Sequence, residues 1–361
     1  MMGADLGQGL KLLAVGMAGA LIARGIGIPA GIMVGALLAS GLYRLAGGET
    51  GAWRGRYGQV GRLLLGTFVG AAFGPDVISP LKAALLPMIV LISVIIGVGL
   101  ILGWALAHLT QLDVATALIS SVPGGLPGMV AMAEETDADA TVVAAIHFSR
   151  LTAILVVVPA LMPLLAKTPA RAAAATSSIA PIGAGYTAIT LAAGLIAGLL
   201  AMRRGVPTGD LVGPMVAIGG ANLVGAGLGP LDSRWQQLAT LLIGTAVGAQ
   251  MSRQSLQRLR QAAPSAAAVV VVLIVAGLLL GWGLMQVTPL DPATALLSGV
   301  PGGASTMPAI AHDLGGDVRL VAALHLTRQL VILILVPSLL GHLLGGRRRG
   351  HIVPQRPASH R

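Results

Sequence analysis

The sequence predicts an all-α, polytopic membrane protein built from two tandem repeats, and three observations carry that prediction. Apolar residues make up 55% of the 361 and charged residues only 10%, with a mean hydropathy of +0.86; soluble domains carry about 25% charged residues. Several stretches hold about 20 apolar residues without an internal charge, enough to cross a hydrocarbon core roughly 30 Å thick. A stretch centred on Val-Pro-Gly-Gly occurs twice, at Ser120–Met129 and Ser298–Met307, 178 residues apart. From Asp113 to Pro159 about half the positions recur there without a gap, among them Asp113/Asp291, Asp139/Asp317, His147/His325 and Arg150/Arg328. The expected organisation is repeat 1 at 1–166, a linker at 167–180, repeat 2 at 181–344 and a basic, disordered tail at 345–361.

Taken in order, Lys11–Ala23 and Ile28–Leu42 are two spans joined by the short Arg24–Gly27 connection. Gly16, Gly19, Gly31 and Gly35 lie at the spacings that let helices approach closely in lipid. A basic loop with Arg44, Arg54, Arg56 and Arg62 follows, then a marginal span from Gly58 through Phe73 and a turn at Gly74-Pro75-Asp76. Leu85–Leu109 is the clearest span of the first half. Val114–Ala133 holds the first Pro-Gly-Gly, and an acidic cluster (Glu134, Glu135, Asp137, Asp139) separates it from Thr141–Leu165, which carries His147 and Arg150. The second half repeats the order with Ile182–Ala201, Val206–Leu228, Leu238–Met251, Ala266–Met285, Ala293–Ala311 and Val318–Leu344.

Charge placement predicts how the halves lie. The loop at 44–62 has four arginines and its counterpart at 222–240 only Arg234; conversely 252–260 has Arg253, Arg258 and Arg260 against Lys82 alone at 74–82. Equivalent loops that differ this way are expected if the repeats face opposite sides and each keeps its lysine and arginine in the cytoplasm. Inversion needs an odd number of crossings per half, so about five spans plus one broken, re-entrant Pro-Gly-Gly segment are expected in each. Both termini then lie in the cytoplasm.

The formal charge of +10 would point to nucleic acid in a soluble protein. Here it sits in short loops and the tail, so no nucleic-acid partner is expected; membrane lipid, a small solute or ion, and further copies of the chain are. With no cysteine there is no disulfide or thiolate metal site. No phosphate-binding loop, nucleophile elbow or dinucleotide fingerprint is present, and the histidines form no ligand cluster with carboxylates. Neither enzymatic activity nor a cofactor is expected.

The candidate site follows from the breaks. Proline removes an amide donor and glycine leaves the helix unsupported, and in lipid such backbone survives only inside protein or beside a watery cavity. Two breaks related by a pseudo-two-fold would meet near the midplane, where half-helix ends offer partial charge to a solute. The expected substrate-binding residues are Ser120, Pro123, Gly124, Gly125 and Met129 with Ser298, Pro301, Gly302, Gly303 and Met307. His147 with Arg150, and His325 with Arg328, add pairs that share one helix face. Buried charge in a span faces the interior or a cavity, whereas charge near the interface snorkels to water. Asp113 and Asp291 are expected to cap the helices that lead into the breaks.

With its paired Val-Pro-Gly-Gly motifs, the His-x-x-Arg helices after them and the duplication, the chain resembles the bacterial membrane AbrB family over roughly Leu6 to Leu344. The resemblance implies an integral inner-membrane protein, distantly like the cation/proton antiporter and anion transporter superfamily. It also brings two functional labels, a regulator of gene expression and an ammonia monooxygenase. The second finds no metal ligands here, and nothing resembles the soluble DNA-binding proteins that share the name. The sequence reading is a secondary transporter of a small solute or ion, with a membrane-embedded regulatory protein as the alternative.

Overall fold

The computed structural model describes residues 2–51, 53–110, 112–124, 129–130, 132–133, 136, 138–165, 184–206, 208–228, 230–251, 253 and 263–345. Gly125, the acidic Glu134, Glu135 and Asp137, the linker 167–180 and the tail beyond Gly345 lie outside the described residues. Among the described residues there are thirteen α-helices, one 3-10 turn and no strand. Five helical stretches are long and apolar enough to span a bilayer: Leu6–Gly25, Pro75–Leu109, Ala140–Leu165, Gly185–Arg203 and Ala267–Val287. The chain is a multi-pass membrane protein.

The helices sort into two groups. The first comprises α1 (Met2–Gly25), α2 (Gly31–Leu45), α3 (Trp53–Ala71), α7 (Ala184–Arg203), α8 (Gly209–Leu223) and α9 (Ser233–Gly248). Here α1 lies on α2 and α7 on α8, while α3 packs on α8 and α9, and α2 on α9. Ala30 and Thr208, directly before α2 and α8, both turn the chain through φ 51°, a left-handed conformation uncommon outside glycine. The two halves touch at bare backbone: a Cβ on Gly244 would stand 2.8 Å from the Met33 carbonyl oxygen. They are also tied by Arg62, whose Nη2 lies 2.6 Å from Oδ2 of the buried Asp210.

The second group comprises α4 (Ile78–Leu109), α5 (Val114–Ser121), α6 (Ala140–Leu165), α10 (Ala263–Val287), α11 (Pro292–Gly299), α12 (Thr306–Ala311) and α13 (Val318–Gly345). α4 packs on α5, α10 and α13, and α10 on α11 and α6. At 1.5 Å per residue α4 is about 48 Å long, whereas the eight-residue α5 and α11 each reach only about 12 Å, under half a bilayer core. The two groups meet where Thr240 Oγ1 donates to the Ala309 carbonyl at 3.1 Å and Gln236 donates to the same oxygen. A second junction is Arg319, which donates to the Ala72 carbonyl at 3.1 Å and to Asp76 at 2.8 Å.

One expected boundary moves. The arginine-rich stretch read as a loop to residue 62 is helical from Trp53 onward. Tyr57 OH donates to the Gly9 carbonyl at 2.8 Å and Arg62 is neutralised by Asp210, so α3 includes these polar residues rather than starting after them.

Candidate functional site

The site is built on two hairpins with the same local chemistry. Asp113 caps α5 by accepting from the Thr116 N–H at 2.8 Å, as Asp291 caps α11 through Thr294 at 2.8 Å. The hydroxyl of each threonine donates to the same aspartate and accepts the N–H of the residue that opens the next long helix, Asp139 or Asp317, at 2.7 Å. Each broken segment therefore leaves and returns to one point, and its mouth is clasped by a threonine between two aspartates.

The helix stops where proline dictates. Val122 and Val300 are extended, with ψ 131° and 135°, because the residue before a proline is disfavoured in helical backbone. The broken segments also lie hard against glycines of the preceding long helix. A Cβ on Gly103 would sit 2.7 Å from Leu118 Cα, and one on Gly281 2.8 Å from Leu296 Cα. Met129 and Met307, fully buried, fold back over Gly124 and Gly302, so that a Cβ there would meet each Met Sδ at 2.6 Å.

The depth of the histidine and arginine follows from helix rise. His147 lies eight residues past Asp139, so it is about 12 Å into α6, level with the end of the eight-residue α5 that starts at the same mouth. His147, Arg150, His325 and Arg328 are all at most 4% exposed, which excludes snorkelling. The sequence also leaves open that the arginines pair with Asp139 or Asp317, but Asp317 pairs with Arg319 at 2.8 Å, and both arginines turn to the breaks. Arg328 donates to the carbonyls of Val300 at 2.9 Å and Gly302 at 2.8 Å; Arg150 reaches those of Val122 at 3.4 Å and Gly124 at 3.3 Å. They supply donors to carbonyls that a continuous helix would have bonded itself.

The histidines differ. His325 Nδ1 accepts from Arg328 at 2.8 Å while Nε2 donates to the Leu297 carbonyl at 2.8 Å. His147 instead places Nδ1 3.1 Å from the Val143 carbonyl, a contact that needs the proton on Nδ1, and its buried Nε2 has no partner. The buried hydroxyls of Ser120, Ser121 and Ser298 are likewise without partners.

The two breaks meet at one cavity of about 50 Å³. Pro123, Gly124, His147 and Arg150 line it from the first half, and Pro301, Gly302, Gly303, His325 and Arg328 from the second. Ser120 and Ser298, in α5 and α11, are fully buried and outside that lining, as are Met129 and Met307, which pack against Gly124 and Gly302. Gly125 is outside the described residues. The lining also includes Leu151 and Gln329, which sequence reasoning missed. Gln329 left a trace, a polar residue beside Arg328 in an apolar helix, but comparing the repeats hid it because its counterpart is Leu151. A wider cavity, of about 300 Å³, runs along α3 and α9 past Arg62 and Gln250 to Ser305, two residues on from Gly303. Among the described residues no group of three or more histidines and carboxylates is placed to hold a metal ion.

The sequence matches the family described as "Transition state regulatory protein AbrB" over residues 32–343. It is similar to the uncharacterized protein YhjN of Bacillus subtilis (strain 168), 24% identical over 312 residues that make up 81% of each chain. It is also similar to a protein of Escherichia coli (strain K12) named as a candidate regulator, AbrB, 28% identical over 265 residues covering 72% of this chain and 73% of that one. Since the family match takes in most of the chain, both Pro-Gly-Gly hairpins included, this protein belongs to the AbrB family.

Proposed function

We propose that the chain is a secondary transporter of a small solute or ion, bound between the two Pro-Gly-Gly hairpins and carried without enzymatic chemistry. The observation that carries this is the cavity lined by equivalent residues of both halves, one of which, His147, has a buried ring nitrogen with no partner within the protein. Buried polar groups in native proteins are nearly always satisfied, so an unpartnered nitrogen on a residue that lines a cavity points to an occupant.

The arrangement we infer is an inverted repeat with re-entrant hairpins. Its support is that α2 and α8, α5 and α11, and α6 and α13 each start 178 residues apart, that both hairpins close on their own mouths, and that the arginines are distributed unequally between the equivalent stretches 44–62 and 222–240. The membrane is taken as the bacterial inner membrane with both termini cytoplasmic, with lipid and further copies of the chain as the other partners and no nucleic acid.

Proteoliposome uptake of labelled small acids, amines and inorganic ions tests the reading. At least one should cross at a rate that Gly303→Leu, which fills the cavity, reduces at least tenfold while the variant still purifies as folded protein. Absence of flux for the whole panel, or equal flux in the variant, would overturn it. The family description and the name of the Escherichia coli relative favour a second reading, a membrane protein that regulates gene expression. That reading expects no flux and a specific protein partner lost on truncation after Gly346.

A further inference from the structure

The charges around the cavity do not cancel. α5 and α11 both end at it, and a helix C-terminus carries roughly half a negative charge, about one in total. Arg150 and Arg328 bring two full positive charges, since guanidinium stays protonated. No aspartate or glutamate is among the described residues that line the cavity. Roughly one positive charge is left over, in a place where an uncompensated ion costs several kcal/mol.

Size and hydrogen bonding narrow the counter-ion. A cavity of about 50 Å³ has room for roughly four waters, enough for a solute of about three or four heavy atoms. His147 is among the residues that line the cavity, and with its proton on Nδ1 its buried Nε2 is an acceptor without a partner. A solute that carries one O–H as well as its charge satisfies that nitrogen.

Resting on the transporter reading, we propose that the solute is a small monovalent oxyanion, held between Arg150 and Arg328, with an O–H of the bicarbonate kind donating to His147 Nε2. Arg328 spends its Nη hydrogens on the carbonyls of Ser298, Val300 and Gly302 and on His325 and contributes its charge, whereas Arg150 makes one carbonyl contact per Nη and keeps donors for the ion's oxygens.

Thermal unfolding of the purified full chain in detergent, at constant ionic strength set with gluconate, tests this. Bicarbonate, formate and nitrate should each raise Tm saturably, by a few degrees at concentrations about a hundredfold above Kd. Sulfate, methylammonium and urea should not. His147→Leu should stay folded and bind bicarbonate at least tenfold more weakly, while nitrate, which has no O–H, weakens less than threefold; Arg328→Gln should lose all three. No saturable shift with any monovalent ion, an equal shift with urea or methylammonium, or undiminished binding in both variants would overturn the proposal. Should Arg328→Gln fail to fold, His147→Leu decides alone. Saturable binding without flux of the same ion into proteoliposomes would instead sink the transporter reading and leave the site. Flux of an amine or a neutral solute without oxyanion binding would sink the oxyanion and leave the transporter.

Discussion

Arg150 and Arg328 occupy equivalent places but hold their hairpins unequally. Arg328 donates to the Val300 and Gly302 carbonyls at 2.8–2.9 Å and to His325, whereas Arg150 reaches its two carbonyls only at 3.3–3.4 Å. Each buried acceptor left without a donor costs about 1–3 kcal/mol. Arg328→Gln should therefore lower stability by about 3 kcal/mol or more, and Arg150→Gln by about half as much; denaturant unfolding of the two purified variants checks the order. Equal losses would mean that the tighter geometry carries no extra energy. At this scale much of the candidate site is legible in the amino-acid sequence, because the recurrence marks residues twice: His147/His325 and Arg150/Arg328 stand out only because both occur at the same offset. Direction is not legible there. The arginines could have turned to Asp139 and Asp317, and only the fold shows them turned to the breaks, and shows His147 oriented unlike His325.

Glycine has two unlike roles in the long helices, and they make opposite predictions. A Cβ on Gly281 would press 2.8 Å from Leu296 Cα in the broken segment, with backbone rather than a flexible side chain in the way. Gly283, in the same helix, has nothing within 4 Å of its would-be Cβ. Gly281→Ala should thus cost about 1–3 kcal/mol through overpacking. Gly283→Ala should be neutral or gain up to about 1 kcal/mol, because alanine is the better helix former. The midpoint of thermal unfolding in detergent separates the pair, and a loss in both would mean that helix–helix approach is not what sets Gly281 apart. The broken segments themselves are readable from Pro-Gly-Gly and the residue before it. The start of α3 is not: four arginines before an apolar run look like a loop, and the asymmetry lies in Asp210, 148 residues away, which neutralises Arg62 inside the protein.

The whole molecule pairs elements that are distant in the chain, α3 with α8 and α9, and α4 with α13, and nothing local in the sequence states those pairings. Composition gives the class and the 178-residue recurrence is plain in the chain, but whether the halves run parallel or inverted is a question of sidedness. The chain has no cysteine, so single-cysteine labelling can answer it directly. Ala46 and Val224 are equivalent positions 178 residues apart, both exposed, each just past the end of a fifteen-residue helix. Ala46 lies in the stretch 44–62 with four arginines, Val224 in its counterpart 222–240 with Arg234 alone. If each hairpin re-enters, five crossings per half put these two residues on opposite faces of the membrane. In right-side-out vesicles a membrane-impermeant maleimide should then label Val224→Cys and leave Ala46→Cys unlabelled until the vesicles are opened. Labelling of both from one side would mean that the broken segments cross fully, because an even number of crossings makes the repeats parallel. The breaks would then face the cavity from the same direction rather than from opposite ones, and alternating exposure of one site by two equivalent halves would lose its structural basis.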